Sequence, residues 1–344
     1  MLEIDGYACD QQRQVVANPV NGRTFIQQTV LLPGGGCTYY RVKSGDACTF
    51  CAFPGLTREV NKGAGFESYF ESWRLDSAFY KTMFDSLTSD NSEVDRIAIF
   101  NGGSFFPNSE LPSDFQRYVY QYVSKHENID ELLVEAYPRY ISQAKLEEAI
   151  ELIGDKKLLV GIGFESRNDI IRNRLLKKGI DRSYFERKIK MMQGLGIKSS
   201  VYVFLKAPGL TERQAYDEAI NSIEYLIDLG VDEIALSCAF VQQGTALEAQ
   251  YHCGEFRPPW LSTIWKIMEQ GKLRGWPLFV GGFSDTPPPI AGPSNCSICD
   301  QPYLDAIERY RHTGIVRDEL LPDCACQRQW ETKMADRTPF QRLI

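Results

Sequence analysis

The sequence is poor in histidine and contains no long apolar run. Its 344 residues include three histidines, which stand far apart at positions 126, 252 and 312, so a histidine-rich metal site is not expected. No apolar stretch approaches the ~18 residues that a membrane-spanning helix needs. The first residues have neither the basic nor the apolar segment of a secretory signal. These absences predict a cytoplasmic protein that does not act in a membrane.

Basic residues are not in excess either. The chain has 45 acidic and 38 basic residues and a net charge of −7, whereas proteins that bind many phosphates are usually basic or carry a dense Lys/Arg cluster. The densest basic stretch covers residues 172–190, and a solvated helical face explains it as readily as a nucleic-acid contact. Nucleic acid is therefore an open partner that the charge does not indicate.

Cysteine, by contrast, is abundant. Ten cysteines without a secretory signal indicate a reducing compartment and metal ligation. Cys37, Cys48 and Cys51 follow an apolar run and three glycines. Three thiolates hold a [4Fe–4S] cluster only if its fourth iron has another ligand. The amino and carboxylate groups of S-adenosylmethionine (SAM) could together chelate that fourth iron. Phe50 would offer an apolar surface to the adenine of SAM. A zinc knuckle or a redox Cys-x-x-Cys pair is the alternative.

Apolar, β-rich runs alternate with helical patterns along the chain. Strands are predicted at 25–32, 96–100, 131–136, 157–164, 199–205 and 233–240, with a seventh apolar segment at 277–281. Helical patterns lie between them, at 66–87, 115–125, 143–153, 170–178, 184–195, 211–229 and 261–272. Such βα units predict an α/β fold with a parallel sheet, a partial (β/α)6-type TIM barrel whose site lies at the carboxyl ends of the strands.

The predicted organisation has three parts. Residues 1–24 are polar and are expected to be an irregular lead-in, residues 25–285 form the barrel, and residues 286–344 form a carboxyl-terminal metal-binding extension after a proline-rich linker.

Glycine-rich or charged residues follow several predicted strands. The segment Asn101, Gly102, Gly103 and Ser104 follows the second strand, and glycines there let backbone approach a ligand closely. A plain βα turn is the alternative.

Charged and polar side chains end the later strands. Glu135 and Glu165 end the third and fourth strands and could bind the ribose hydroxyls of SAM, while Arg172 could pair with its carboxylate. A helix N-cap or a surface ion pair is the alternative for the glutamates. Lys206 and Gln242 end the next two strands and could face substrate or cap a loop.

These motifs together resemble the radical SAM superfamily, and the wide cysteine loop is similar to that of its elongator-subunit-like branch. The motifs that carry the wider likeness are Gly-Ser-Phe at 103–105, Val-Glu-x-x-Pro-Arg-Tyr-Ile at 134–141, Gly-Ile-Gly-Phe-Glu-Ser-x-Asn-Asp-x-Ile-Arg at 161–172, Lys178-Gly179, Leu-Lys-Ala-Pro-x-Leu-Thr-Glu at 205–212, Val-Gln-x-Gly-Thr at 241–245 and Arg-Pro-Pro-Trp-Leu at 257–261. They resemble a subgroup that includes the radical SAM subunit of archaeosine synthase.

The resemblance implies an enzyme with one [4Fe–4S] cluster on the three loop cysteines and with SAM on its open iron. An external reductant of the ferredoxin or flavodoxin type would supply one electron, and a 5′-deoxyadenosyl radical would abstract hydrogen from substrate. Gly102 and Gly103 would contact the methionine amino group, with Ser104 in place of the usual acidic residue. The implied substrate is a modified tRNA base, with a partner subunit supplying RNA binding.

Other functions remain open at this point. Radical modification of a peptide or small natural product, including sulfur insertion from an auxiliary cluster, is one alternative. A non-catalytic zinc-binding module is another.

A second cysteine set lies near the carboxyl end. Cys296-x-x-Cys299 and Cys324-x-Cys326, 24 residues apart, form a strong metal-binding pattern. Zinc would be structural and tetrahedral, whereas an auxiliary [4Fe–4S] cluster could relay an electron, bind substrate or donate sulfur. The three remaining cysteines have no partners in sequence and are expected to be small buried residues: Cys9, Cys238 and Cys253.

Overall fold

A computed structural model describes residues 2–4, 7–61, 74–282, 288–317 and 321–340. Part of the helical prediction at 66–87 and part of the proline-rich linker lie outside the described residues. Within the described part of the chain, no helix is both long enough and apolar enough to cross a bilayer.

Nine strands form one sheet in the order of the chain. The second strand runs antiparallel to both the first and the third, and adjacent strands from the third to the ninth are parallel. The strands are β1 (Leu2–Ile4), β2 (Tyr7–Ala17), β3 (Thr24–Leu31), β4 (Arg96–Phe100), β5 (Glu131–Glu135), β6 (Lys157–Glu165), β7 (Lys198–Leu205), β8 (Glu233–Cys238) and β9 (Leu278–Val280). The predicted α/β partial barrel is confirmed.

Helices lie between and after the strands in the described part of the chain. They are α1 (Thr38–Val42), α2 (Phe53–Asn61), α3 (Ser77–Leu87), α4 (Ser113–Lys125), α5 (Gln143–Ile153), α6 (Arg182–Gly194), α7 (Glu212–Asp228), α8 (Ala246–His252), α9 (Leu261–Arg274), α10 (Asp300–Thr313) and α11 (Cys326–Met334). Thr211 caps α7 through a capping box with Gln214. The helix expected at 170–178 is a single π turn, Ile171–Leu175.

The prediction of an irregular lead-in at 1–24 was wrong. β2 pairs with β3 from Asp10 opposite Leu31 to Ala17 opposite Thr24. Its polar side chains at 11–13 are exposed, so cross-strand pairing, not an apolar pattern, makes this segment a strand.

The sheet is curved, and its inner face is filled at two levels. Ala98, Leu133 and Leu159 pack together inside it. Nearer the amino ends of the strands, the Arg96 guanidinium on β4 reaches Glu233 on β8, at 2.5 Å. Strands four apart in the sheet order can touch in this way only because the sheet curls, and the curl draws their carboxyl ends together.

Helix α10 lies across the open side of the barrel. It packs on both β2 and β9. The Tyr310 hydroxyl donates to the Leu278 carbonyl, at 2.9 Å, and Arg311 donates to Gln14, at 3.4 Å. The carboxyl-terminal extension therefore contributes to the wall of the barrel.

Candidate functional site

A cavity of about 560 Å³ opens at the carboxyl ends of the parallel strands, a volume within the usual range for small-molecule and cofactor sites. Of the residues predicted to bind the cluster or SAM, those that line it are Cys37, Cys48, Phe50, Cys51, Gly102, Gly103, Ser104, Glu135 and Glu165. These residues come from five separate stretches of the chain, and the parallel register brings them to one place.

Backbone hydrogen bonds hold the cysteine loop in position. The Cys48 amide donates to the Lys177 carbonyl and the Thr49 amide to the Leu176 carbonyl, both at 3.2 Å. Arg41 donates to the Gly36 carbonyl, at 2.8 Å. The loop is therefore fixed to the segment that follows the π turn, with its three thiols on the cavity wall.

The glycine segment after β4 packs directly against this loop. A Cβ at Gly103 would meet the Cys37 nitrogen and Cα at 3.0 Å, and also the Glu110 carboxylate. Glu110 accepts hydrogen bonds from the amides of Thr38, at 2.9 Å, and Ser104. Burial raises the pKa of Glu110, although these bonds oppose the rise. Nothing in the local sequence pattern marks Glu110 as a site residue, so it is not among the predicted ones.

Glu165 and Lys178 form an ion pair of 2.9 Å in the cavity wall. Glu165 has φ of 74° at an irregularity in the β6–β7 register, and such backbone is uncommon outside glycine and clusters at functional sites. Burial opposes the charge on Lys178, but the Glu165 carboxylate raises its pKa overall. Lys178 Nζ also lies 5.6 Å from the centre of the Phe50 ring. In the sequence, Lys178 stands in the Lys178-Gly179 motif, from which no role at the site is predicted.

Glu135 faces Tyr202, two strands away, and the two side chains are hydrogen-bonded. Burial raises the pKa of Glu135 to about 7, and the Tyr202 hydroxyl opposes that rise. Gly161 stands between them in the sheet, and a Cβ there would come within 2.7 Å of the Tyr202 hydroxyl. This pair was not predicted, because only the curl of the sheet brings β5 and β7 together.

The proposed role of Arg172 is contradicted. Its side chain is fully buried and outside the cavity lining. It donates to the carbonyls of Ser166 and Ile180, both at 2.8 Å, and pairs with Asp169. Since this arginine is committed to organising the π turn, it does not meet a SAM carboxylate.

Lys206, Gln242 and Asn101 also lie outside the cavity lining. Lys206 is buried and pairs with Glu212, at 2.5 Å, and Gln242 is buried beside the start of α8. The expectation that Lys206 and Gln242 face substrate is therefore wrong. Asn101 donates to the Ser104 carbonyl, at 3.4 Å, and so shapes the glycine turn from behind.

The second cysteine set forms a compact group. The sulfurs of Cys296, Cys299, Cys324 and Cys326 all lie within 4.8 Å of one another. Cys296 and Cys324 are 3.7 Å apart, and Cys299 and Cys326 are 3.5 Å apart. Four thiolates at ~2.3 Å from one tetrahedral zinc would be about 3.8 Å apart. In a [4Fe–4S] cluster each thiolate binds a different iron, so the sulfurs must stand farther apart.

The three cysteines outside the two clusters differ in burial. Cys9 and Cys238 are buried as predicted, but Cys253 is exposed, because it caps the surface helix α8 at its carboxyl end.

The comparisons with known proteins agree with this architecture. No family model matches the chain. The chain is 26% identical to archaeosine synthase subunit beta of Methanosarcina acetivorans over 317 residues, which cover 91% of this chain and 86% of that protein. It is also 26% identical to archaeosine synthase subunit beta of Thermococcus kodakarensis over 322 residues, 91% of this chain and 93% of that protein.

Among solved structures, the archaeal Elp3 of Methanocaldococcus infernus superposes with a TM-score of 0.50 and 16% identity, covering 77% of this chain and 67% of that one. At this identity the likeness shows a shared fold.

Proposed function

We propose that this chain, which resembles the elongator-subunit-like branch of the radical SAM superfamily, is an enzyme that holds a [4Fe–4S] cluster on Cys37, Cys48 and Cys51 and cleaves SAM reductively. The observation that carries the proposal is the shared cavity: three thiols, two adjacent glycines and two strand-end carboxylates line it. Thiolates are the soft ligands that iron–sulfur clusters require.

The cavity residues have distinct roles in this proposal. The cluster, held by Cys37, Cys48 and Cys51, and the bound SAM would supply one-electron radical chemistry toward a C–H bond of the substrate, with the electron coming from an external ferredoxin- or flavodoxin-type donor. Phe50 would stack on adenine, and Gly103 gives room for the methionine end beside Cys37. Glu135 and Glu165 would accept hydrogen bonds from ribose hydroxyls. Lys178 would hold Glu165 in place through their ion pair of 2.9 Å.

For the substrate, we propose a modified base of tRNA, as the name of the two archaeosine synthase relatives suggests. The same name describes those proteins as subunits, which supports a partner subunit that presents the tRNA. Cytoplasmic location is part of the same proposal.

For the carboxyl-terminal cysteines, we propose one structural zinc ion. The sulfur spacing of 3.5 and 3.7 Å supports it, since it fits one tetrahedral ion and is too short for a multi-iron cluster. A closed zinc site has no sulfide to donate, so sulfur insertion at this site is disfavoured.

Metal content and SAM cleavage test both assignments in anaerobically purified protein. About four irons and one zinc per wild-type chain are expected. The variant Cys48→Ala should lose iron and 5′-deoxyadenosine formation but keep zinc, and Cys324→Ala should lose zinc but keep iron. Cys253→Ala, at the exposed cysteine, should keep both metals. Formation of 5′-deoxyadenosine by Cys48→Ala would refute the cluster assignment, and about eight irons in the wild type would refute the zinc assignment.

A further inference from the structure

A second cavity, of about 630 Å³, adjoins the first and shares two of its residues, Tyr39 and Tyr137. Their rings are stacked, with centroids 4.7 Å apart and planes 14° from parallel. The Tyr137 hydroxyl donates to the Gly179 carbonyl, at 2.8 Å, and the Tyr39 hydroxyl to the Lys177 carbonyl, at 3.3 Å. The tyrosine pair is thus held in place at the boundary where the reaction cavity and this outer groove meet.

The outer groove combines aromatic and basic side chains. Tyr140 and Tyr184 contribute further rings, and Lys43, Arg139 and Arg187 contribute positive charge. These three basic residues are exposed, and none of them has an ion-pair partner among the residues that the structure describes.

The groove lining contains one carboxylate, that of Asp181. It caps α6 by accepting from the Tyr184 amide, at 2.7 Å, and from the Ser183 hydroxyl, at 2.6 Å. The chain as a whole has a net charge of −7, but here three basic residues without an ion-pair partner among the described residues surround four tyrosines. Such a surface suits a ligand that combines several negative charges with planar rings.

We propose that this outer groove binds a single-stranded segment of RNA, with Lys43, Arg139 and Arg187 on its phosphates and a base stacked on Tyr184 or Tyr140. The proposal rests on the proposed function and extends it: the groove would hold the strand while the neighbouring nucleotide reaches the reaction cavity past the tyrosine pair. Stacking on aromatic rings beside a basic groove is the general mode of single-strand recognition.

A protein partner fits the groove less well. Protein interfaces bury an apolar centre from which charged residues are depleted. Here Val42, which is 73% exposed, is the one exposed aliphatic side chain of the lining, because Pro138 and Ile180 are buried. Apart from Asp181 and Gly179, the rest of the lining is basic or phenolic.

Binding of a fluorescein-labelled 12-nucleotide single-stranded RNA to the metal-loaded protein tests this proposal by fluorescence anisotropy. The groove variant is Lys43→Glu/Arg139→Glu/Arg187→Glu. The control variant, Lys125→Glu/Lys157→Glu/Lys272→Glu, changes the charge equally at exposed lysines of the opposite barrel end. The groove variant should weaken binding about 100-fold and the control less than about threefold. The slope of log affinity against log salt should be smaller by about 2 in the groove variant, because each phosphate contact contributes about 0.7.

A ring test separates stacking from charge. Tyr184→Ala should weaken RNA binding about tenfold, and Tyr184→Phe should bind like the wild type. Equal RNA binding by the wild type and the groove variant would overturn the proposal and would favour a protein partner as the occupant of the groove.

Formation of 5′-deoxyadenosine without RNA distinguishes this proposal from the proposed function. Wild-type protein that cleaves SAM but binds RNA no better than the groove variant would overturn the groove alone. Groove-dependent RNA binding without SAM cleavage would overturn the radical chemistry and support the groove.

Discussion

Arg96 on β4 and Glu233 on β8 form an ion pair of 2.5 Å across the interior of the curved sheet. The side chains are 7% and 13% exposed, and Arg96 also pairs with Glu131. The Arg96 guanidinium thus lies between two carboxylates, one of which, Glu131, also pairs with Lys198 at 2.9 Å. This network lies at the amino-terminal end of the barrel, where no catalysis is expected.

Replacement of Arg96 by Met should lower the free energy of unfolding by about 3–5 kcal/mol, because it removes the buried cation that pairs with Glu233 and leaves Glu131 with Lys198 alone. Denaturant unfolding of the metal-loaded protein measures this. The matched control is Arg274→Met, whose pair with Glu224 is 45% exposed on both sides and should cost less than about 1 kcal/mol. Similar losses in the two variants would contradict the role given to Arg96.

The pH dependence of stability should report on Glu135. Burial raises the pKa of Glu135 to about 7 from an ordinary value of 4.5. The folded state therefore holds this proton more tightly than the unfolded state, and the stabilisation present below pH 4.5 is lost as pH rises through 7. The variant Glu135→Gln does not titrate at this position. Its free energy of unfolding minus that of the wild type should therefore increase by about 1–3 kcal/mol from pH 4.5 to 7.5.

Denaturant midpoints of SAM-free protein at several pH values check this expectation. The exposed Glu151 supplies the control variant, Glu151→Gln, which should keep the wild-type pH profile. An unchanged profile in Glu135→Gln would show that this carboxyl does not hold its proton at neutral pH.

Substitution of Gly103 by Ala should impair cluster assembly. The added Cβ would lie 3.0 Å from the Cys37 backbone and against Glu110, so the cysteine loop must move. Iron content after anaerobic reconstitution should fall well below that of wild type, while zinc content stays the same. Gly194→Ala in α6 meets nothing within 4 Å and should assemble normally. Full iron loading of Gly103→Ala would show that the loop can give way.

The ion pair of Lys206 and Glu212 should prove structural. One Glu212 oxygen is 2.5 Å from Lys206 Nζ, and the other accepts from the Trp260 amide, at 2.8 Å, and the Thr263 hydroxyl, at 2.6 Å. Glu212→Ala leaves a buried ammonium and two donors unpaired, so unfolding should become easier by about 3–5 kcal/mol.

The double variant Lys206→Met/Glu212→Gln should recover part of this stability, because it removes the unpaired charge. The variant Lys206→Met/Glu212→Gln should also retain 5′-deoxyadenosine formation. Loss of SAM cleavage in a stably folded double variant would show that Lys206 acts at the site and is not purely structural.

Sequence patterns predicted the strands and most of the cavity because both depend on local order. Glu135 and Glu165 end apolar runs, and in a parallel sheet such ends meet at one edge. β2 was not predicted because its residues are polar, and pairing with the neighbouring strand β3, not an apolar pattern, makes it a strand. Arg172 was misassigned because its partners are backbone carbonyls, which carry no sequence signal. Tyr202 and Glu110 could not be predicted, because only the curl of the sheet and the packing of the cysteine loop bring them to the cavity.

Helix α10 has a consequence for solubility. An incomplete barrel has two bare sheet edges, and unpaired strand edges invite association with other chains. This helix lies against β2 and β9, and metal-binding cysteines flank it on both sides, with Cys299 before it and Cys324 and Cys326 after it. The zinc ion that we propose there would therefore protect the protein from aggregation, because its removal by a chelator would release helix α10, uncover β2 and β9 and promote self-association. Since Arg311 of α10 also lines the cofactor cavity, that cavity would lose part of its wall at the same time.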